Sequence, residues 1–183
     1  MPRFTTRELT LAAIFTALIA GGALITVPLG AVPFTLQVLF VLLAGMLLGP
    51  RLGAMSILAY LALGLVAPVY AGGSSGLGVL FGPTGGYLWG FLPGAIAAAA
   101  VTRSRLPGLP RLVAAGLVGL IPIYGLGAVW LALQLQSPSY EVVVVGGVLQ
   151  FLPLDVLKAF IAAFAARSLF SLPLGLPALP RDR

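Results

Sequence analysis

The chain has 183 residues, of which 60% are apolar and 8% charged, and its mean hydropathy is +1.14. Soluble domains run at roughly 45–50% apolar and about 25% charged, so too few polar residues are present to cover a solvated surface, and the natural solvent is a bilayer. Neither Cys nor His occurs and the net charge is +6; this excludes disulfides, Cys/His zinc and haem sites, and His-dependent nucleophilic triads.

At about 20 residues per helical span, six spans take about 120 residues and leave about 60 for loops and tails. The expected architecture is therefore an all-α integral membrane protein, one membrane domain over 1–183. The first span opens at Thr5-Thr6-Arg7-Glu8, which has the S/T-x-x-E form of a capping box, and runs over 9–27 to Pro28 and Gly30. The apolar character of everything downstream favours a mature span over a signal peptide. The second span, 36–48, stops at Gly49-Pro50, because proline disfavours helical geometry in the residue before it. Its shortness predicts tilt or a partly buried position.

The third span is expected over 52–66, followed by a Gly-, Ser- and Pro-rich loop, Ala67 to Gly86. The fourth covers 87–101, and the fifth covers 112–133 with Pro122 and Gly125 as kink points. A short apolar segment, Val142 to Leu149, then precedes a sixth span over 153–170, with Pro153 at the first helical position. Those last residues rise roughly 27 Å, enough to cross most of a hydrocarbon core. The tail, 171–183, has three prolines and reads as irregular.

Loop charge sets the orientation. Arg3, Arg7, Arg51, Arg103, Arg105, Arg111, Arg167, Arg181 and Arg183 all fall on one side of a six-span arrangement, and the opposite loops carry no Lys or Arg. By the positive-inside rule both termini and the tail are cytoplasmic, in the inner membrane of a prokaryote. The positive charge is not a nucleic-acid signal, since the cations are scattered between apolar runs.

The remaining cation, Lys158, follows Asp155 by three residues, which places both on one helix face near the outer end of the sixth span. An ionisable group inside a bilayer costs at least about 2.5–3.5 kcal/mol and usually marks a site. Two readings are open. The pair joins helices and nothing more, or Lys158 meets a ligand carboxylate while Asp155 accepts N–H groups from a neutral part of the same ligand. A pair that only balances itself is often no more stable than apolar residues of similar size, which favours the second. The outer loops suit a small molecule: Val32-Pro33-Phe34-Thr35-Leu36-Gln37, Pro68 to Gly76 including Tyr70 and Gly73, and Gly82-Pro83-Thr84-Gly85-Gly86-Tyr87. Their glycines permit close backbone approach, and Phe34, Tyr70, Tyr87 and Trp89 offer flat apolar walls. Taken singly, each loop is equally well read as turn chemistry.

The combination of VPFTLQ, PVYAGG (68–73), GPTGGYLWGF (82–91) and PLDVLKA (153–159) resembles the BioY family, the membrane-embedded biotin-binding S components of energy-coupling-factor (ECF) vitamin transporters. The resemblance implies a six-helix bundle of the S-component type that takes biotin as its transported ligand and needs no cofactor. It implies as partners a transmembrane coupling protein and two ATP-binding-cassette ATPases. No Walker motif is present, so ATP hydrolysis falls to those separate subunits, and the chain is expected to be a transport protein rather than an enzyme. Asp155 resembles the acid that binds the ureido head, and Lys158 the adjacent polar or carboxylate partner. Some members place an Asn in the loop between the third and fourth spans; this chain has none, and Gln37, Thr84, Tyr87 or Gln150 stands in for that contact. Ala13, Ala17 and Gly21 resemble the small-residue face that docks the coupling protein, although the same spacing also suits internal packing. The alternatives are a solitary ion-coupled vitamin transporter with Asp155 as proton relay, and an S component for another vitamin. An intramembrane enzyme would need a second buried acid or a His.

Overall fold

The computed structural model describes residues 4–29, 32–103, 107–135 and 139–178. Helix α1 (Thr6–Leu24) starts at the capping box: Glu8 N–H donates to Thr5 Oγ1 at 3.3 Å, and Thr5 N–H donates to Glu8 Oε2 at 2.9 Å. It ends at Leu24, three residues before the expected end. The chain there turns into a two-stranded antiparallel hairpin, β1 (Thr26–Leu29) and β2 (Val32–Thr35), with Thr26 opposite Thr35 and Pro28 opposite Pro33. The β-branched residues Thr26, Val27 and Val32 suit strand geometry, and Pro28 cannot continue a helix.

Helix α2 (Gln37–Leu63) is one helical run broken at a single residue. Gly49 has φ 77° and ψ 179°, a backbone conformation open essentially to glycine alone. Gln37 Nε2 donates to Tyr60 Oη at 2.5 Å, although a straight helix would hold these residues about 35 Å apart. The two arms, 37–48 and 50–63, therefore fold back on each other. They correspond to the expected second and third spans, with the turn shrunk to Gly49 and the helix resuming at Pro50 and ending at Leu63 rather than 66.

The following loop holds a 3-10 turn, Ala71–Gly73, and a short helix α3 (Leu77–Leu80). Helix α4 (Gly85–Thr102) and helix α5 (Leu109–Gln134) come next. The short apolar segment is π-helical over Glu141–Leu149, and helix α6 spans Leu152–Phe170. Among the described residues, five stretches are long and apolar enough to cross a membrane, among them α2 taken as one and Glu141–Phe170 taken as one. Counted by its arms, α2 makes the crossings six, and the protein is a multi-pass membrane protein.

The outgoing arm of α2 is the axis of the bundle: Val41 to Gly49 are all buried. Small residues let the backbones meet, as expected where lipid supplies no hydrophobic drive between helices. A Cβ added to Gly45 would stand 2.3 Å from the Ala95 carbonyl oxygen, and one added to Gly119 would stand 2.6 Å from Leu42 Cδ2. Helix α6 turns Asp155, Lys158, Ala159, Ala162, Ala163 and Ala166 inward. At the arginine end, Arg7 donates to the Leu174 carbonyl, Ala178 N–H donates to Leu47 O, and Arg111 binds the carbonyls of Val101 and Arg103. Arg3, Arg105, Arg181 and Arg183, on which the charge asymmetry also relies, lie outside the described residues, as does the end of the tail.

Candidate ligand-binding site

At the end opposite the arginines, β2, α2, α4, α5, the π-helical segment and α6 enclose a cavity of about 640 Å³, counted to its open mouth. Its lining is mostly apolar, with Val38, Leu88, Phe91, Ile123 and Phe151 among the walls. The partly exposed lining residues Pro33, Ala71, Val79 and Thr84 mark the mouth, and the other polar residues are buried.

The deep wall carries the ion pair. Asp155 N–H bonds to Phe151 O at 3.0 Å, so the acid stands in the first turn of α6, with Lys158 three residues on. The two side chains are only 6% and 4% exposed. Lys158 Nζ donates to Asp155 Oδ1 at 2.5 Å and to the Thr35 carbonyl at 2.6 Å, and it lies 3.8 Å from the centroid of the Phe34 ring. Tyr124 Oη donates to Asp155 Oδ2 at 2.7 Å. Thr35 Oγ1 in turn donates to Gln37 Oε1 at 2.9 Å. Tyr87 Oη donates to Gly147 O at 2.7 Å, and its ring meets that of Tyr124 edge-on at 6.2 Å.

This arrangement balances charge without exhausting hydrogen-bonding capacity. An ammonium has three N–H donors and a carboxylate about four lone-pair sites; the protein uses two on each. One donor and two acceptor sites stay available to a molecule in the cavity. The pair is thus locked onto itself and its neighbours, yet it forms part of the cavity wall.

Of the residues singled out from sequence, the structure brings Thr35, Gln37, Thr84, Tyr87, Asp155 and Lys158 to the cavity, together with Phe34. Tyr70 and Gly73 do not line it. Tyr70 is fully buried beneath the loop, donating to Leu61 O at 2.6 Å and packing edge-on against Tyr60; it fills the space that a side chain at Gly64 would need. Its burial pushes the phenol pKa up. The glycine loop also offers fewer free backbone groups than its composition promises. Gly72 N–H is taken by Thr26 Oγ1, Gly73 N–H by Tyr70 O and Gly76 N–H by Gly64 O, leaving Ala71 as that turn's contribution to the lining. Trp89 Nε1 donates to Leu80 O instead of facing the cavity, and Gln150 is exposed outside it. Ala13, Ala17 and Gly21 lie on the exposed face of α1, away from the cavity.

Sequence reasoning missed Tyr124 and the apolar walls at Val79, Phe91, Ile123 and Phe151. Tyr124 had a usable signal, a hydroxyl in the middle of an apolar span, where a polar group needs a partner. The apolar walls had none, because they look like any other residue of a membrane helix.

A bundle of apolar helices around a mostly apolar cavity, with a compensated ion pair in its deep wall, defines a polytopic membrane protein built to hold a small molecule with a polar head. The BioY family profile matches residues 1–173. The chain is 43% identical over 164 residues to a probable biotin transporter BioY of Pyrococcus horikoshii, spanning 89% of this chain and 96% of that protein. It is 40% identical over 161 residues to the biotin transporter BioY of Thermotoga maritima, spanning 87% and 94%. A crystal structure described as the S-component for biotin from an ECF-type ABC transporter is similar with a TM-score of 0.82 at 31% identity, covering 93% of this chain and 96% of that one. The chain belongs to the BioY family.

Proposed function

We propose that this chain is a transport protein, not an enzyme: the biotin-capturing S component of an ECF-type transporter. The observation that carries the reading is the Asp155/Lys158 pair in the deep wall of an otherwise apolar cavity. Biotin has a cyclic urea with two N–H donors and one carbonyl acceptor, fused to an apolar sulfur ring that bears an aliphatic acid chain. The free lone pairs of Asp155 match the urea N–H groups, and the remaining N–H of Lys158 matches its carbonyl. Of the two roles expected for Lys158, polar or carboxylate partner, this is the polar one. With Asp155 at 2.5 Å the ammonium is already neutralised, and what it offers is a hydrogen-bond donor. The aromatic and aliphatic walls suit the sulfur ring and chain.

The energising partners belong to the same proposal: a transmembrane coupling protein and two ATP-binding-cassette ATPases, docking along the exposed small residues Ala13, Ala17 and Gly21 of α1. So does placement in a prokaryotic inner membrane, with both termini inside and the cavity opening outward, which the arginine distribution supports. Calorimetry on the purified chain should show tight biotin binding, with thiamin and riboflavin failing to compete. Preference for another vitamin would reassign the ligand. Uptake that needs ATPase subunits and survives a protonophore fits an S component, whereas protonophore-sensitive uptake by the chain alone would instead mark an ion-coupled transporter.

A further inference from the structure

Among the described residues, the arginines lie at the far end of the molecule. The segments that supply the cavity lining, 32–38, 71–91, 123–124 and 147–158, contain a single Lys or Arg, which is Lys158. That ammonium is held by Asp155 at 2.5 Å and by the Thr35 carbonyl at 2.6 Å, deep in the wall and 4% exposed. A ligand whose head engages this pair sends its chain toward the mouth, lined by Pro33, Ala71, Val79 and Thr84. Three of these four are apolar. The Thr84 hydroxyl is a neutral donor that serves an amide oxygen as well as a carboxylate oxygen. The neighbouring backbone N–H groups of Gly72, Gly73 and Gly76 already have acceptors within the protein. Among the described residues, the feature left at the mouth that favours an anion is the start of α4, at Thr84, and there the N–H groups of Gly85 and Tyr87 are already taken by the carbonyls of Gly82 and Thr84.

We infer that the site reads the cyclic urea and leaves the acid end unread, so that it captures carboxyl-conjugated biotin, the amides and esters of its side chain, as well as the free acid. The inference rests on the biotin reading and names the ligand class of the same cavity. An acid end left at a wetted mouth keeps its own hydration, so exchanging it for a neutral group removes no charged contact. The ligand class widens from one vitamin to a set of compounds that share its bicyclic head.

The test is calorimetric titration of the purified chain with three probes: biotin, its primary amide, and the amide formed with the ε-amine of lysine. The primary amide is nearly isosteric with the acid and isolates the charge. It should bind within about tenfold of biotin, and the lysine conjugate should compete for the same site. A loss of more than tenfold for the primary amide, with biotin itself binding tightly, overturns the inference and shows that the carboxylate is recognised. Binding of the primary amide but not of the lysine conjugate overturns the extension to conjugates, placing a steric limit at the mouth. Absence of biotin binding itself is a separate failure, that of the functional reading.

Discussion

Burial decides what the Asp155/Lys158 pair does. Removing one member of a buried pair leaves an uncompensated charge, at a cost of about 3–5 kcal/mol, whereas replacing both with apolar residues of similar volume is often neutral. Thermal unfolding in detergent should therefore rank the double replacement Asp155→Leu/Lys158→Met above either single variant. Biotin binding should follow the opposite logic. Asp155→Ala and Lys158→Ala should each weaken it by tenfold or more, about 1.4 kcal/mol, and the double variant should fare no better, because the ligand has lost both contacts. Unchanged affinity in both single variants would remove the pair from the site. Tyr124 fixes the second oxygen of the carboxylate. Tyr124→Phe keeps the ring and deletes a hydrogen bond to a charged group, for which about 1.5 kcal/mol is a low figure, so biotin affinity should fall by about tenfold or more.

Two elements place these side chains. The first is the reversal of α2 at Gly49, which brings Gln37 and Tyr60 together across the hairpin and sets the start of the outgoing arm beneath β2. Gly49→Ala puts a side chain into a conformation that costs about 1–3 kcal/mol; it should lower the unfolding temperature, and a variant as stable as the parent would show that the turn relaxes. The second is the π-helical Glu141–Leu149 segment, a type of distortion frequent at functional sites. Its Gly147 carbonyl receives Tyr87 Oη, and a Cβ at Gly147 would stand 2.8 Å from that oxygen, so the glycine leaves room for the ring that borders the cavity. Helix α1 differs from both in contributing no lining residue. Ala17→Leu on its exposed face should leave biotin affinity unchanged and reduce copurification with the coupling protein; retained copurification would move the docking face elsewhere.

Across the whole molecule the two ends are chemically distinct. Among the described residues, one gathers Arg7, Arg51, Arg103, Arg111 and Arg167; the other holds the hairpin, the glycine loop and the cavity mouth. The absence of cysteine makes orientation directly measurable. A single cysteine at Val27 in the exposed hairpin should react with a membrane-impermeant thiol reagent in intact cells, and one beside Arg51 should react only after permeabilisation. The reverse pattern would invert the protein.

The sequence by itself determined the solvent, the helical class, the end that carries the charge and the one acid–base pair too costly to be accidental. Each follows from transfer free energies that act on local stretches of chain and need no knowledge of neighbours. The same local logic placed the start of α1 and the stop at Gly49, since caps and positive φ are decided within a few residues. Only the tertiary structure decided that Tyr124 rather than a loop side chain completes the carboxylate, that Tyr70 supports the loop from beneath, and that the glycine amides are already engaged. These are contacts between residues far apart in the chain, and in a sequence apolar nearly throughout no periodicity separates a face that meets lipid from one that meets a ligand.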